Sequence, residues 1–339
     1  MNPFDSSPVV ARPFLIAWLL AIGAAAAAQP VRPGDRVLLV STRPVGCTTD
    51  AATLAAGVQA AEYDACSWRT TGFDPLVASL DPSAPLIVYV HGNQIAPHDA
   101  RRRGLQVYRS LVRCASDERP LQFVIFSWNS TKVPGLLRDY RVKAERTKPV
   151  AWQLAWVIGR FPEGARVGML GYSYGARVTS GAAHLLAGGS LDCLRYEGEG
   201  CLPCRLASVR GVFLAAAYDA CWNSRRSYHG RALDTLDDLL VTTNPRDPAM
   251  RFYDLLRRGT DPDATGERGP RGLDSEQASR VCLWNASRSV GRSHDLEEYL
   301  CVPGLMQAAW RRLAFADQPA AATQPTLASA TQPTLATRQ

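Results

Sequence analysis

Ala165-Arg-Val-Gly-Met-Leu-Gly-Tyr-Ser-Tyr-Gly-Ala-Arg177 is the stretch on which the reading of this chain turns. Residues 165–170 are a short apolar run of the length of a buried strand. Gly171-Tyr172-Ser173-Tyr174-Gly175 follows at once, and residues 176–187 are small and apolar with helical spacing. Strand, five-residue turn and helix, in that order, is the context in which G-x-S-x-G carries chemistry, and this is its single match in the chain. The glycines have a steric reason. A side chain at 171 or 175 would collide with the neighbouring strand or helix, while the serine takes strained backbone angles. Such a turn lifts the Ser173 hydroxyl clear of the sheet. It also aims the unpaired N–H groups and partial positive charge of a helix N-terminus at that hydroxyl. An idle serine in a tight strand–helix turn has the same pattern, so the partners must decide.

Outward from that turn, apolar runs alternate with helical stretches. Pro85-Leu-Ile-Val-Tyr-Val90 is continuous and β-branched, and stops at His91-Gly92. Strands are also expected at 122–127, 209–216, 238–243 and 281–284, and one at 37–40 is placed at the sheet edge. Helices are expected at 101–114, over 132–160 with a break at Pro149, and from Asp295 onward. Residues 259–278, rich in Gly, Pro, Asp and Arg, read as a long loop. Alternation of this kind implies a parallel sheet covered on both faces.

A serine hydroxyl is a poor nucleophile until a base takes its proton. The chain has five histidines, at 91, 98, 184, 229 and 294. Where a turn of this type serves catalysis, the chain order is Ser, acid, His. His91 and His98 precede Ser173, and His184 lies three turns along the following helix. His294, after the last strand, is the preferred base, with His229 behind it. A carboxylate must hold the base's tautomer. Asp247 follows the strand at 238–243, and Asp219 follows the preceding strand, so either fits. Of the two oxyanion donors such chemistry needs, one is the backbone N–H of Tyr174. The other is expected from the loop at Gly92 and Asn93, where glycine allows close backbone approach.

Together these residues resemble a family of mostly uncharacterised bacterial α/β-hydrolases related to esterases and lipases. The resemblance runs through Val88-Tyr-Val-His-Gly-Asn93, Phe126-Ser-Trp-Asn-Ser130, Leu170-Gly-Tyr-Ser-Tyr-Gly-Ala-Arg177, the strand ending at Asp219, Asn244-Pro-Arg-Asp247 and Ser293-His294. It implies an α/β-hydrolase fold with a mostly parallel central sheet, helices on both faces, and Ser173, Asp247 and His294 as a triad. The chain departs from the pattern at Tyr172, where many relatives carry His, and in its arginine-rich stretch near 260–278. The expected function is a serine hydrolase that cleaves a small-molecule or lipid-like carboxylic ester through an acyl-enzyme, with no metal and no cofactor. The same residues would serve acyl transfer, and a catalytically silent binding protein would keep the same fold.

Composition agrees with a globular chain. Of 339 residues, 46% are hydrophobic and 20% charged, which allows a core and excludes wholesale disorder. A net charge of +7, with arginines scattered, and no helix-turn-helix or RNA-binding signature leave nucleic acid off the list of expected partners. Oligomeric state is not legible. Residues 1–28, with Arg12, the apolar stretch 14–22 and the alanines at 24–28, read as a cleaved signal peptide, which implies export and no other attachment to a membrane. The hydrolase domain is then 29–316. Residues 317–339 repeat Ala-Thr-Gln-Pro-Thr-Leu-Ala and read as a disordered tail. Export permits disulfides among the nine cysteines. Cys47 with Cys66 and Cys282 with Cys301 are plausible local pairs, and Cys193, Cys201, Cys204 and Cys221 have the makings of a zinc site.

Overall fold

A computed structural model of the chain describes residues 31–64, 66–198, 205–251, 253 and 263–317. The expected signal peptide lies outside them, as does the tail apart from Asp317, which Arg210 Nη1 grips at 2.6 Å.

The strands are β1 (Arg36–Ser41), β2 (Gln59–Asp64), β3 (Ser67–Thr71), β4 (Leu86–Val90), β5 (Gln122–Ser127), β6 (Arg166–Tyr172), β7 (Ser190–Leu191), β8 (Leu194–Arg195), β9 (Ser208–Leu214), β10 (Asp238–Thr243) and β11 (Val281–Asn285). β7 and β8 pair only with each other. The other nine form one sheet in the order β11-β10-β9-β6-β4-β5-β1-β2-β3. β2 alone runs against the rest.

Five helices frame the sheet and the site: α1 (Ala51–Gly57), α2 (Phe73–Ala78), α3 (Pro97–Arg113), α4 (Leu136–Ile158) and α5 (Tyr174–Leu186). The strand alternation sorts the core into two layers. Val88 and Val90 pack with residues of α4 and α5, while Ile87 and Tyr89 face the layer of α3 and the C-terminal helix Pro303–Leu313. Both faces are covered, so β4 buries every residue and reads as one apolar run.

The structure corrects four expectations. First, β1 is not an edge strand: it pairs with β5 on one side and β2 on the other. The edge belongs to the β2–β3 hairpin, whose β3 (Ser67-Trp-Arg-Thr-Thr71) is exposed or half-buried throughout and so lacks an apolar run. Second, α4 does not break at Pro149. The ring removes the N–H that the Glu145 carbonyl would accept, a change worth about 3 kcal/mol. Residues 150–158 are all buried, and their packing outweighs it.

Third, the 259–278 region is not one loop. Its described part holds short helices at Thr265–Arg268 and Ser275–Ser279, the second opened by a capping box of Asp274 and Gln277. Fourth, Cys47, Cys66, Cys282 and Cys301 stand as thiols on exposed positions, not in the expected pairs. Cys201 and Cys204 of the suggested zinc quartet lie outside the described residues. Among those described, no three metal-binding side chains gather.

Candidate active site

β6 is the fourth strand from the β11 edge, and its end carries Ser173 into α5. Ser173 has φ 54° and ψ −121°, a strained combination for a residue with a side chain. Its N–H donates to the Leu214 carbonyl at 2.9 Å, and its own carbonyl accepts from Ala176 N–H at 3.0 Å. The turn is pressed against β4: a Cβ on Gly175 would sit 2.0 Å from the Val90 carbonyl oxygen, and one on Gly171 2.5 Å from the Ala176 Cα. Both glycines are therefore obligatory, and the tightness brings Ser173 beside the loop after β4.

His294 and Asp247 meet Ser173 from the loops after β11 and β10. His294 Nε2 lies 3.1 Å from Ser173 Oγ, and His294 Nδ1 lies 2.7 Å from Asp247 Oδ2. Asp247 is fully buried, and its Oδ1 also accepts Ala249 N–H at 2.8 Å. A carboxylate only accepts, so the proton sits on Nδ1, and Nε2 is left as the acceptor for the serine hydroxyl. Asn244 Nδ2 donates to the Gly291 carbonyl at 2.9 Å and ties the loop of Asp247 to the loop of His294.

Tyr172, which in the sequence only flanks Ser173, has a definite task. Its hydroxyl donates to the His294 carbonyl, and its ring lies 5.6 Å from the imidazole. Burial pushes that phenol well above its ordinary range, so it remains a donor.

The alternatives lie elsewhere. Asp219 accepts the Tyr253 hydroxyl at 3.0 Å and does not bind His294. His229 is buried among Tyr218, Trp222 and Tyr228, with Nδ1 3.0 Å from Ser180 Oγ. Desolvation holds it well below the ordinary imidazole range, so it is neutral. Ser180 and His229 are both buried in the core.

The loop carrying Gly92 and Asn93 is held from two sides. His91 is buried and stacked on Trp128, with ring centres 5.7 Å apart. Burial, with Arg43 nearby, lowers it to about 3, so the ring is neutral. Its Nε2 faces the Trp128 N–H at 3.3 Å, which leaves the hydrogen on Nδ1 to donate to the Gly92 carbonyl at 2.9 Å. A trans peptide points its N–H opposite to its carbonyl, so fixing the Gly92 oxygen fixes the direction of the Asn93 N–H.

From the other side, Asp139 of α4 accepts Asn93 Nδ2 at 2.8 Å and Gln94 Nε2 at 3.0 Å. Its second oxygen accepts Val133 N–H at 2.7 Å and Lys143 Nζ at 2.8 Å. Gln94 has a positive φ of 55°, a strain that these bonds retain. Asp139 and Lys143 are both fully buried, although their i, i+4 spacing reads in sequence as a surface pair.

Desolvation favours the neutral Asp139 carboxyl, but the four donors outweigh it and hold the group down to about 2. The folded value lies below the roughly 3.9 of an unfolded Asp. Its stabilisation is therefore complete above about pH 4 and is lost as pH falls towards about 2. Asp139→Asn should destabilise the protein by about 3–5 kcal/mol at neutral pH, because Lys143 is left as an unpaired buried charge. Urea titrations of both proteins at a series of pH values should show the gap narrowing between about pH 4 and about pH 2. A gap that is constant with pH, or absent, would show that Asp139 does not carry that charge.

Ser173 and His294 open into a cavity of about 420 Å³ walled by Leu136, Leu137, Tyr140, Pro248, Met250 and Tyr253. The wall is largely apolar. A larger cavity of about 680 Å³ near Trp152 and Arg160 holds no serine or cysteine.

Strand order, the strained serine turn and helices on both faces define an α/β-hydrolase-type fold. No protein family matches the sequence, and no curated protein matches it. Two solved acetyl xylan esterase structures, one an iodinated complex, align with 69% of this chain and 97% of their own at 12% and 13% identity, with TM-scores of 0.32 and 0.33. The fold assignment stands on the chain's own topology and not on that likeness.

Proposed function

We propose that the protein hydrolyses carboxylic esters with apolar acyl groups through an acyl-enzyme on Ser173. The observation that carries this reading is His294 set between Ser173 Oγ and Asp247 Oδ2, at 3.1 and 2.7 Å, on the floor of an apolar cavity. His294 Nε2 takes the serine proton as Oγ bonds to the ester carbonyl carbon. Asp247 stabilises the imidazolium that results. The oxyanion is met by the N–H groups of Tyr174 and Asn93, with Gly92 keeping that side open, and each such donor is typically worth about 3 kcal/mol. The intermediate collapses, and His294 returns the proton to the leaving alcohol. A water then repeats the sequence to free the acid. The basic-then-apolar segment up to residue 28 supports export of this activity.

A fluorophosphonate probe followed by peptide mass spectrometry should label Ser173 alone. A panel of p-nitrophenyl esters should show kcat/KM rising with acyl length by about fourfold per methylene until the cavity is full, since each buried CH₂ contributes about 0.8 kcal/mol. Absence of labelling together with no turnover of any ester would leave a silent binding protein. Product transferred to an added alcohol in preference to water would identify an acyltransferase.

A further inference from the structure

Among the described residues, four large apolar side chains stand exposed: Leu136 at 63%, Leu137 at 49%, Val142 at 36% and Leu283 at 52%. Three of them fall within seven residues at the start of α4. Leu136 and Leu137 are also walls of the Ser173 cavity, so apolar surface runs unbroken from the nucleophile to solvent. Large apolar groups clustered in water are costly to keep and mark a surface that something covers.

Along residues 132–142 the exposed charges are all positive. Lys132, Arg138 and Arg141 are exposed and make no ion pair among the described residues. Between residues 131 and 148 the only carboxylates are Asp139 and Glu145. Asp139 is buried on Lys143, and Glu145 is paired with Lys148 at 2.6 Å. Positions 137, 138, 141 and 142 follow i, i+1, i+4, i+5 spacing, which puts leucine, two arginines and valine on one side of the helix. Leucines that need an apolar host, flanked by cations that need an anionic one, match the boundary of an anionic lipid layer.

We propose that the outer face of residues 132–142 docks this protein on an anionic lipid surface, with the mouth of the Ser173 cavity held against the layer. The proposal deepens the ester-hydrolase reading and rests on it for what the cavity then receives: an acyl ester drawn from the layer. It also adds a membrane contact beyond the one expected of the leader. No described helix is long and apolar enough to cross a membrane, so the contact is peripheral.

The test uses the full chain carrying Ser173→Ala, so that binding is read without turnover. Vesicles of phosphatidylglycerol and phosphatidylcholine should bind it far more tightly than vesicles of phosphatidylcholine alone, and added salt should weaken the binding. Each basic residue near such a surface is worth about fivefold in affinity. Arg138→Gln with Arg141→Gln should therefore cost about twenty-fivefold, and Val142→Ser should cost a smaller factor. In the background with Ser173 intact, the double arginine variant should hydrolyse a water-soluble ester at the parent rate but lose activity on an ester embedded in anionic vesicles.

Equal binding to the two vesicle types, or unchanged binding by the arginine variant, would overturn the proposal. So would a dimer in sedimentation velocity that Val142→Ser dissociates, because a second copy would then be the cover. Vesicle binding by a protein that turns over no ester would uphold the surface while removing the hydrolase reading.

Discussion

Replacing Ser173 by alanine should reduce kcat for a p-nitrophenyl ester by about 10⁵–10⁶-fold, the scale on which serine hydrolases lose activity when the nucleophile goes. The substitution removes one oxygen. The strained turn is held by backbone bonds, from Ser173 N–H to Leu214 and from Ala176 N–H to the Ser173 carbonyl, and those bonds persist in the variant. Stability by urea titration should therefore match wild type or exceed it, since the hydroxyl contributes to chemistry and not to packing. Fluorophosphonate labelling should vanish. Residual acceleration over the uncatalysed rate should remain, because the Tyr174 and Asn93 N–H groups stay in place. Turnover surviving undiminished would remove Ser173 as nucleophile and with it the hydrolytic reading.

Asp247→Asn should lower kcat by about 10⁴-fold with little change in the fold. The amide is the same size, and Ala249 N–H still has an oxygen to meet. It does not hold the Nδ1 proton as a carboxylate does. When its NH₂ faces the ring, Nδ1 becomes the acceptor, the proton moves to Nε2, and Ser173 loses its base. Asp219→Asn is the contrasting change. Asp219 bonds Tyr253, which walls the cavity, so its loss should appear in KM or stability and spare kcat. A larger fall in kcat from Asp219→Asn than from Asp247→Asn would reverse the assignment of the acid.

The parts of the fold legible in the sequence are those that pack on both faces or punctuate the backbone. β4 and β5 are buried along their length and β6 and β9 past their first residue, and burial on two sides leaves few polar residues to blur the signal. The glycines at 171 and 175 are legible because only backbone proximity explains them. What the sequence hides depends on neighbours far along the chain. β3 is exposed or half-buried throughout and is made a strand by its pairing with β2. Asp139 and Lys143 look like an ordinary solvated helix pair, and only the loop folded over them turns them into a buried anchor. Tyr172 gives no sign of its bond to residue 294, 122 positions away. Asp247 and Asp219 cannot be separated in sequence, since both follow strands and nothing local says which loop the imidazole reaches.

β11 is a margin strand joined to the sheet on one side only, and its residues are exposed or half-buried. Ser173 follows an inner strand, while His294 follows this outer one and is tied back through Tyr172, Asn244 and Asp247. In the proposed reaction the two partners of one proton transfer are thus rooted in parts of the sheet with different numbers of neighbours. Local opening that started at the outer strand would part them while the interior was still intact.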